Sequence, residues 1–148
     1  MSMRQILSGM EISSSGLAGE RLRMEVAANN IANIHSTTTP EGGPYQRQQV
    51  TFASAMKDVM RPGNNGVSDL GGVRVVGISS DATPGPTIYD PGHPDADETG
   101  HVQMPNVVLA HEMVDLVTAS RAYEANLKAM ETFRQMAEQA LSLLRGLR

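Results

Sequence analysis

The chain contains no cysteine and no tryptophan, and its aromatic side chains amount to two Phe and three Tyr in 148 residues. Without cysteine there is no disulfide framework, no thiolate nucleophile and no Cys-based zinc site. The scarcity of aromatics argues against a large core, although a compact chain of this length buries roughly 70% of its unfolded surface. Excess positive charge is also missing. Twelve Lys+Arg stand against sixteen Asp+Glu, a formal charge of −4. No basic stripe is available to release counterions, so nucleic acid is not an expected partner. No apolar run approaches the roughly 18 residues of a membrane span, and no transmembrane segment is expected. Ser, Gly and Glu interrupt the apolar residues after Arg4, so no cleavable secretory segment is read there. Export, if it occurs, is expected without a cleavable signal peptide.

Proline is absent from both ends. All eight prolines lie between Pro40 and Pro105, with ten of the fourteen glycines. Residues 1–34 carry three positive and three negative charges, and residues 106–148 carry five of each. The centre, 35–105, carries four positive and eight negative, which accounts for the whole net charge. This predicts three parts: an N-terminal helix over 1–34, a β-rich and loop-rich centre over 35–105, and a C-terminal helix over 106–148.

The first flank reads as a helix of about 30 residues. Ser2-Met3-Arg4-Gln5 fits a capping box with Ser2 as N-cap. Met3, Met10, Leu17, Met24 and Ile31 recur every seven residues, with Ile6, Ala27 and Ile34 offset from them, which is an a/d seam weakened at Ser13 and Glu20. Asn29-Asn30-Ile31-Ala32-Asn33 closes it, since Asn tolerates the left-handed conformation that ends helices. In the last flank Asn106 reads as an N-cap after Pro105. Leu109, Leu116, Tyr123, Met130, Ala137 and Leu144 form one series of sevens. Met113, Ser120, Leu127, Arg134 and Leu141 form a second. The helix is expected from Val107 to Arg145, about 58 Å at 1.5 Å per residue. Glu124 and Lys128 supply an i,i+4 pair, and Gly146 ends the pattern.

The centre reads as short strands and turns. Pro40-Glu41-Gly42-Gly43-Pro44 is a turn cluster. Gln46 to Phe52 reads as extended, Ala53 to Met60 as a short helical stretch, and Pro62 to Gly66 as a loop. Val73 to Ile78 is the best strand. Pro84 to Pro94 reads as extended and irregular.

A long helix with a seam on one side needs a partner. The N-terminal helix is also intrinsically weak, because Gly9, Gly16 and Gly19 each cost about 1 kcal/mol relative to Ala. Packing against other helices must supply the difference. The expected fold is therefore α+β: long terminal helices forming a coiled-coil-like α layer, with a small irregular β-rich centre. The bland alternative is a helical hairpin packed on its own β domain.

Motifs decide between these readings. Asn29-Asn30-Ile31-Ala32-Asn33, followed by Pro40-Glu41-Gly42-Gly43-Pro44-Tyr45, resembles the N-terminal signature of the bacterial flagellar rod and hook axial proteins. Asp90-Pro91-Gly92-His93-Pro94, Gly100-His101-Val102 and Pro105-Asn106-Val107 are similar to the proximal-rod members. Near the C-terminus, Glu112-Met113 and Ser120-Arg121-Ala122-Tyr123-Glu124-Ala125-Asn126 match the pattern shared by rod and hook proteins. His101 and Met104 depart from it, standing where the family usually has aromatics.

The resemblance implies a structural subunit of the flagellar basal-body rod, exported through the flagellar type III apparatus. Its expected place is the rod in the periplasmic space. Its expected partners are copies of itself and other rod proteins, including the distal rod and the rod–export-gate junction. The family's terminal helices form an inner α layer. The expected assembly residues are therefore the seams: Met3, Ile6, Met10, Leu17, Met24 and Ile31 on the first helix. On the second they are Leu109, Met113, Leu116, Tyr123, Leu127, Met130, Leu141 and Leu144. Torque transmission needs stiffness, and no catalytic residue, metal or cofactor is expected.

Three rival readings are weaker. Asp90, His93, Asp95, Asp97, Glu98 and His101 are all metal-donor types, but the run departs from an EF-hand at its fifth and twelfth positions, Thr99 and Asn106. A paired-carboxylate hydrolase has no motif around Glu41 or Asp58, and the four histidines form no catalytic pattern. A monomeric adaptor would hold its helices in solution without associating.

Overall fold

The computed structural model describes residues 3–56 and 70–145. The element order is α1 (Met3–Ala32), β1 (Gln48–Met56), β2 (Leu70–Ser80), β3 (Thr87–Tyr89), β4 (His101–Gln103) and α2 (Leu109–Arg145). The class is α+β, with two long terminal helices around a small strand region. β1 pairs with β2, and β3 pairs with β4, as two separate two-stranded sheets. The expected N-cap at Ser2, the loop at Pro62 to Gly66, residues 57–60 and the stop at Gly146 lie outside the described residues, as do the side chains of Met3 and Leu144.

Several local expectations are corrected. Ala53 to Met56 continue strand β1 instead of starting a helix. Their small and apolar side chains satisfy either period over so few residues. β2 is longer than Val73 to Ile78 at both ends. A three-residue strand, β3, sits within the stretch read as irregular, and it pairs antiparallel with β4 through Ile88 and Val102. Asn106 does not cap α2. Its side chain accepts from the Arg47 amide at 2.7 Å and donates to the Asp81 carbonyl at 3.0 Å. Helix α2 instead opens on the Val108 carbonyl, which accepts from His111 and Glu112.

α1 does not end in a left-handed Asn, because among the described residues positive φ is confined to glycine. The Asn33 amide reaches the Asn29 carbonyl at 3.1 Å, and the Asn33 side chain donates to the same carbonyl at 2.9 Å. That pair of bonds satisfies a terminal acceptor without a backbone reversal. Lys128 pairs with Glu131 at 2.8 Å rather than with Glu124.

The chain forms two compact units. The first comprises residues 1–21, 52–76 and 119–148. Within it the two helical segments run antiparallel. A Cβ on Gly9 would lie 2.6 Å from the Phe133 ring, and one on Gly16 would lie 3.0 Å from the Asn126 amide. Seven residues forward on α1 therefore meet seven residues back on α2, and glycine is what admits the ring and the amide. Ser15 Oγ donates to the Ile12 carbonyl at 2.7 Å and accepts from the Val73 amide at 3.0 Å, which ties β2 to α1. Ile6, Ser13 and Ala119 are buried here.

The second unit comprises residues 22–51 and 77–118. Its buried residues include Val26, Ala27, Val102 and Val107. They also include two polar side chains, Asn30 and Glu112, which are the largest fully buried side chains among the described residues. An interior this small and this polar gains little from apolar burial, so its polar groups must be matched.

Candidate polar hub and assembly faces

The second unit is organised on Asn30, near the C-terminal end of α1. Its Oδ1 accepts from the Tyr45 hydroxyl at 2.9 Å and from the Gln48 amide at 2.9 Å. Its Nδ2 donates to the Gln48 carbonyl at 2.9 Å and to Glu112 Oε2 at 2.8 Å. All four hydrogen-bonding positions of the amide are used. Glu112 lies in the first turn of α2, where the helix N-terminus favours a carboxylate. Its second oxygen, Oε1, accepts from Arg47 Nε at 2.5 Å. Arg47 also reaches Asp115 at 3.3 Å, and Arg23 pairs with Asp115 at 2.8 Å. Glu112 is 1% exposed, whereas the Arg47 side chain keeps 22% of its surface. The buried charge is therefore paired with a cation that still touches water. Burial raises the Tyr45 hydroxyl above the ordinary tyrosine range, and the Glu112 carboxylate adds to that shift.

Two further sequence motifs meet in the same unit. Gly42 and Gly43 adopt φ of 90° and 78° in the turn after Pro40, and the Thr39 amide donates to the Gly43 carbonyl at 2.9 Å. Pro44 and Tyr45 follow, with the Tyr45 amide on the Ser36 carbonyl at 2.9 Å. Thr37 donates to Asp95 Oδ2 at 2.7 Å, which joins this turn to the loop carrying Asp90-Pro91-Gly92-His93-Pro94. In that loop Asp90 Oδ1 accepts from the Gly92 amide at 3.2 Å, and His93 Nδ1 accepts from the Asp95 amide at 3.1 Å. Asp97 Oδ1 accepts from the Thr99 amide, the Thr99 hydroxyl and the His101 amide, at 2.8, 2.7 and 2.8 Å. Those donors hold Asp97 below the ordinary carboxylate range, and the Thr37 and Thr38 hydroxyls do the same for Asp95. Asp90 and Asp97 direct their carboxylates at the loop's own amides and hydroxyls, and Asp95 directs its own at the Thr37 hydroxyl. Among the described residues no group of three His, Asp or Glu converges as a metal set.

The residues expected to serve assembly are divided. Ile6 is buried, while Met10, Leu17, Met24 and Ile31 are half-buried. On α2, Leu116, Tyr123 and Met130 are half-buried. Leu109, Met113, Leu127 and Leu141 are exposed. Of the C-terminal motif, Arg121 and Glu124 face solvent, and Asn126 lies against Gly16 with its Nδ2 on the Ala122 carbonyl at 3.0 Å. Asn29, beside the hub, accepts from Asn33 at 2.9 Å, and Ala32 is exposed.

Sequence reasoning had Asn30 and Tyr45 as motif members but gave neither a role. It missed Arg47 as a functional residue and read Glu112 only as part of a motif. The available signal was a column at sevens: Glu112, Ala119, Asn126, Phe133 and Ala140. Its small and polar members looked less like a seam than the adjacent Leu columns. Among the described residues no helix is long and apolar enough to cross a membrane.

Comparison with known proteins finds relatives along nearly the whole chain. A family model described as flagella basal body rod protein covers residues 10–39. One described as flagellar basal body rod FlgEFG protein C-terminal covers residues 98–143. The flagellar basal-body rod protein FlgC of Borreliella burgdorferi is 41% identical, over 95% of this chain and 99% of its own. The FlgC proteins of Yersinia enterocolitica and Bacillus subtilis are 38% and 37% identical, over 93% and 90% of this chain and 97% and 95% of their own. The chain belongs to the FlgC family of flagellar basal-body rod proteins.

Proposed function

We propose that this rod protein polymerises through its terminal helices with copies of itself and with other rod proteins, and that it transmits torque across the periplasm without catalysis. In this reading residues 1–34 and 106–148 form the inner α layer of a tube, and residues 35–105 form its outer part. The chain reaches the rod through the flagellar type III export apparatus.

The observation that carries the reading is the apolar surface left open along α2. Leu109, Met113, Val114, Val117, Leu127, Leu141 and Leu143 are exposed, with Val114 at 65% and Leu143 at 70%. On α1, Leu7 and Ile12 are exposed as well. Covering such side chains stabilises by roughly 25 cal/mol per Å² of apolar area removed from water. A monomer rarely leaves a long helix this apolar on its outer side unless something packs there. A repeated contact between different faces around an axis builds a helical assembly instead of closing on itself.

Leu127→Glu tests the reading. The variant is expected to be secreted at the natural level and to be missing from isolated basal bodies, with motility lost. Normal incorporation of Leu127→Glu would remove α2's outer row from the interface.

A further inference from the structure

The apolar seams of this chain do not by themselves choose a register. Leu17, Met24 and Ile31 on α1, and Leu109, Leu116 and Tyr123 on α2, are interchangeable in kind and recur every seven residues. A slip of one heptad preserves such a pattern. What it does not preserve is the bond between Asn30 and Glu112. A seven-residue slip takes Glu112 away from Asn30 and brings residue 105 or residue 119 to that level, a Pro or an Ala. Neither side chain can hydrogen-bond to the Asn30 amide.

We propose that Asn30 and Glu112, braced by Tyr45 and Arg47, form a polar pin that selects a single register of α1 residues 22–32 against α2 residues 109–118. Three features support this role. The two residues are the largest fully buried side chains among those described, in a unit whose other buried residues are mostly small or medium-sized and apolar. Each of the four hydrogen bonds of the Asn30 side chain has a specific partner, three of them fixed by Tyr45 and Gln48 and the fourth by Glu112. Glu112 is in turn held from its other oxygen by Arg47. A buried amide satisfied in only one alignment penalises every other alignment by the cost of its orphaned groups. The pin thus acts on uniqueness more than on total stability.

The two effects separate experimentally. The chain has no cysteine, so an introduced pair reports cleanly on proximity. Arg23→Cys with Asp115→Cys marks the observed register, because these side chains meet at 2.8 Å. Arg23→Cys with Ala122→Cys marks a slip of one heptad. With the pin intact, a short bis-maleimide is expected to join only the first pair. With Asn30→Leu and Glu112→Leu added, both pairs are expected to cross-link at comparable yield while helicity by circular dichroism stays near the natural level. Glu112→Gln keeps an acceptor for Asn30 and is expected to restore cross-linking of the first pair alone.

Exclusive cross-linking of the first pair in the double-Leu chain would overturn the proposal, since apolar packing would then suffice to set the register. Should the double-Leu chain not fold, Asn30→Ser carries the same test. Its side chain is too short to reach Glu112, so the slipped pair must cross-link, and its failure to do so would equally overturn the pin.

Discussion

Glu112 is a carboxylate with nearly no access to water, and its energetics follow from its two partners. Removing it leaves one N–H of the Asn30 amide without an acceptor and takes from Arg47 its buried carboxylate, leaving it only Asp115 among the described residues. Breaking a buried pair from one side costs about 3–5 kcal/mol. Tyr45→Phe removes one donor from an oxygen that keeps the Gln48 amide, and a loss of about 1 kcal/mol is expected. Urea unfolding of Glu112→Ala and Tyr45→Phe should therefore give losses differing by a factor of three or more. Equal losses would mean that the Arg47 charge re-solvates freely once Glu112 is gone. At this scale the sequence was least informative. Glu112 is one of five acidic residues on a helix that also carries four basic ones, and its partner lies 82 positions away. Nothing in the local pattern marks it as buried.

Helices fared better than strands for a physical reason. A seven-residue repeat sustained over 30 or 37 residues averages out local exceptions, and proline-free flanks permit no break. A strand of three residues, such as β3 or β4, has no period to read, and its existence depends on the partner across the sheet. The start of α2 moved because Asn106, read as its cap, found tertiary partners in Arg47 and Asp81.

The glycines of α1 also change meaning at this scale. In isolation Gly9 is a defect costing about 1 kcal/mol. In the folded helix pair it is the space that Phe133 occupies. Gly9→Ala is expected to lower the melting temperature, because the overlap with the ring, worth about 1–3 kcal/mol, exceeds the gain in propensity. In a Phe133→Leu background the same substitution should be neutral or stabilising. A higher melting temperature for Gly9→Ala alone would show that the ring moves aside without cost.

For the whole molecule the governing fact is how little is buried. The buried apolar residues, among those described, are Ile6, Val26, Ala27, Val102, Val107 and Ala119, and Leu and Met side chains in quantity remain in contact with water. Stability resting on so few buried apolar side chains should depend on association. Circular dichroism over a dilution series is expected to show helicity rising with protein concentration. A concentration-independent, fully helical monomer would instead support the adaptor reading.

One consequence of the Asn30 contacts concerns time. Ribosomes deliver Asn30 early, and the carboxylate that completes its bonding arrives 82 residues afterwards. Contacts so far apart along the polypeptide form slowly, since a large loop must close first. Until then the leading segment has no finished structure to be pulled apart. Under the export route proposed above, a polypeptide that postpones its own completion in this way would meet a narrow conduit before its long-range bonds are made, and no unfolding step would have to precede its departure.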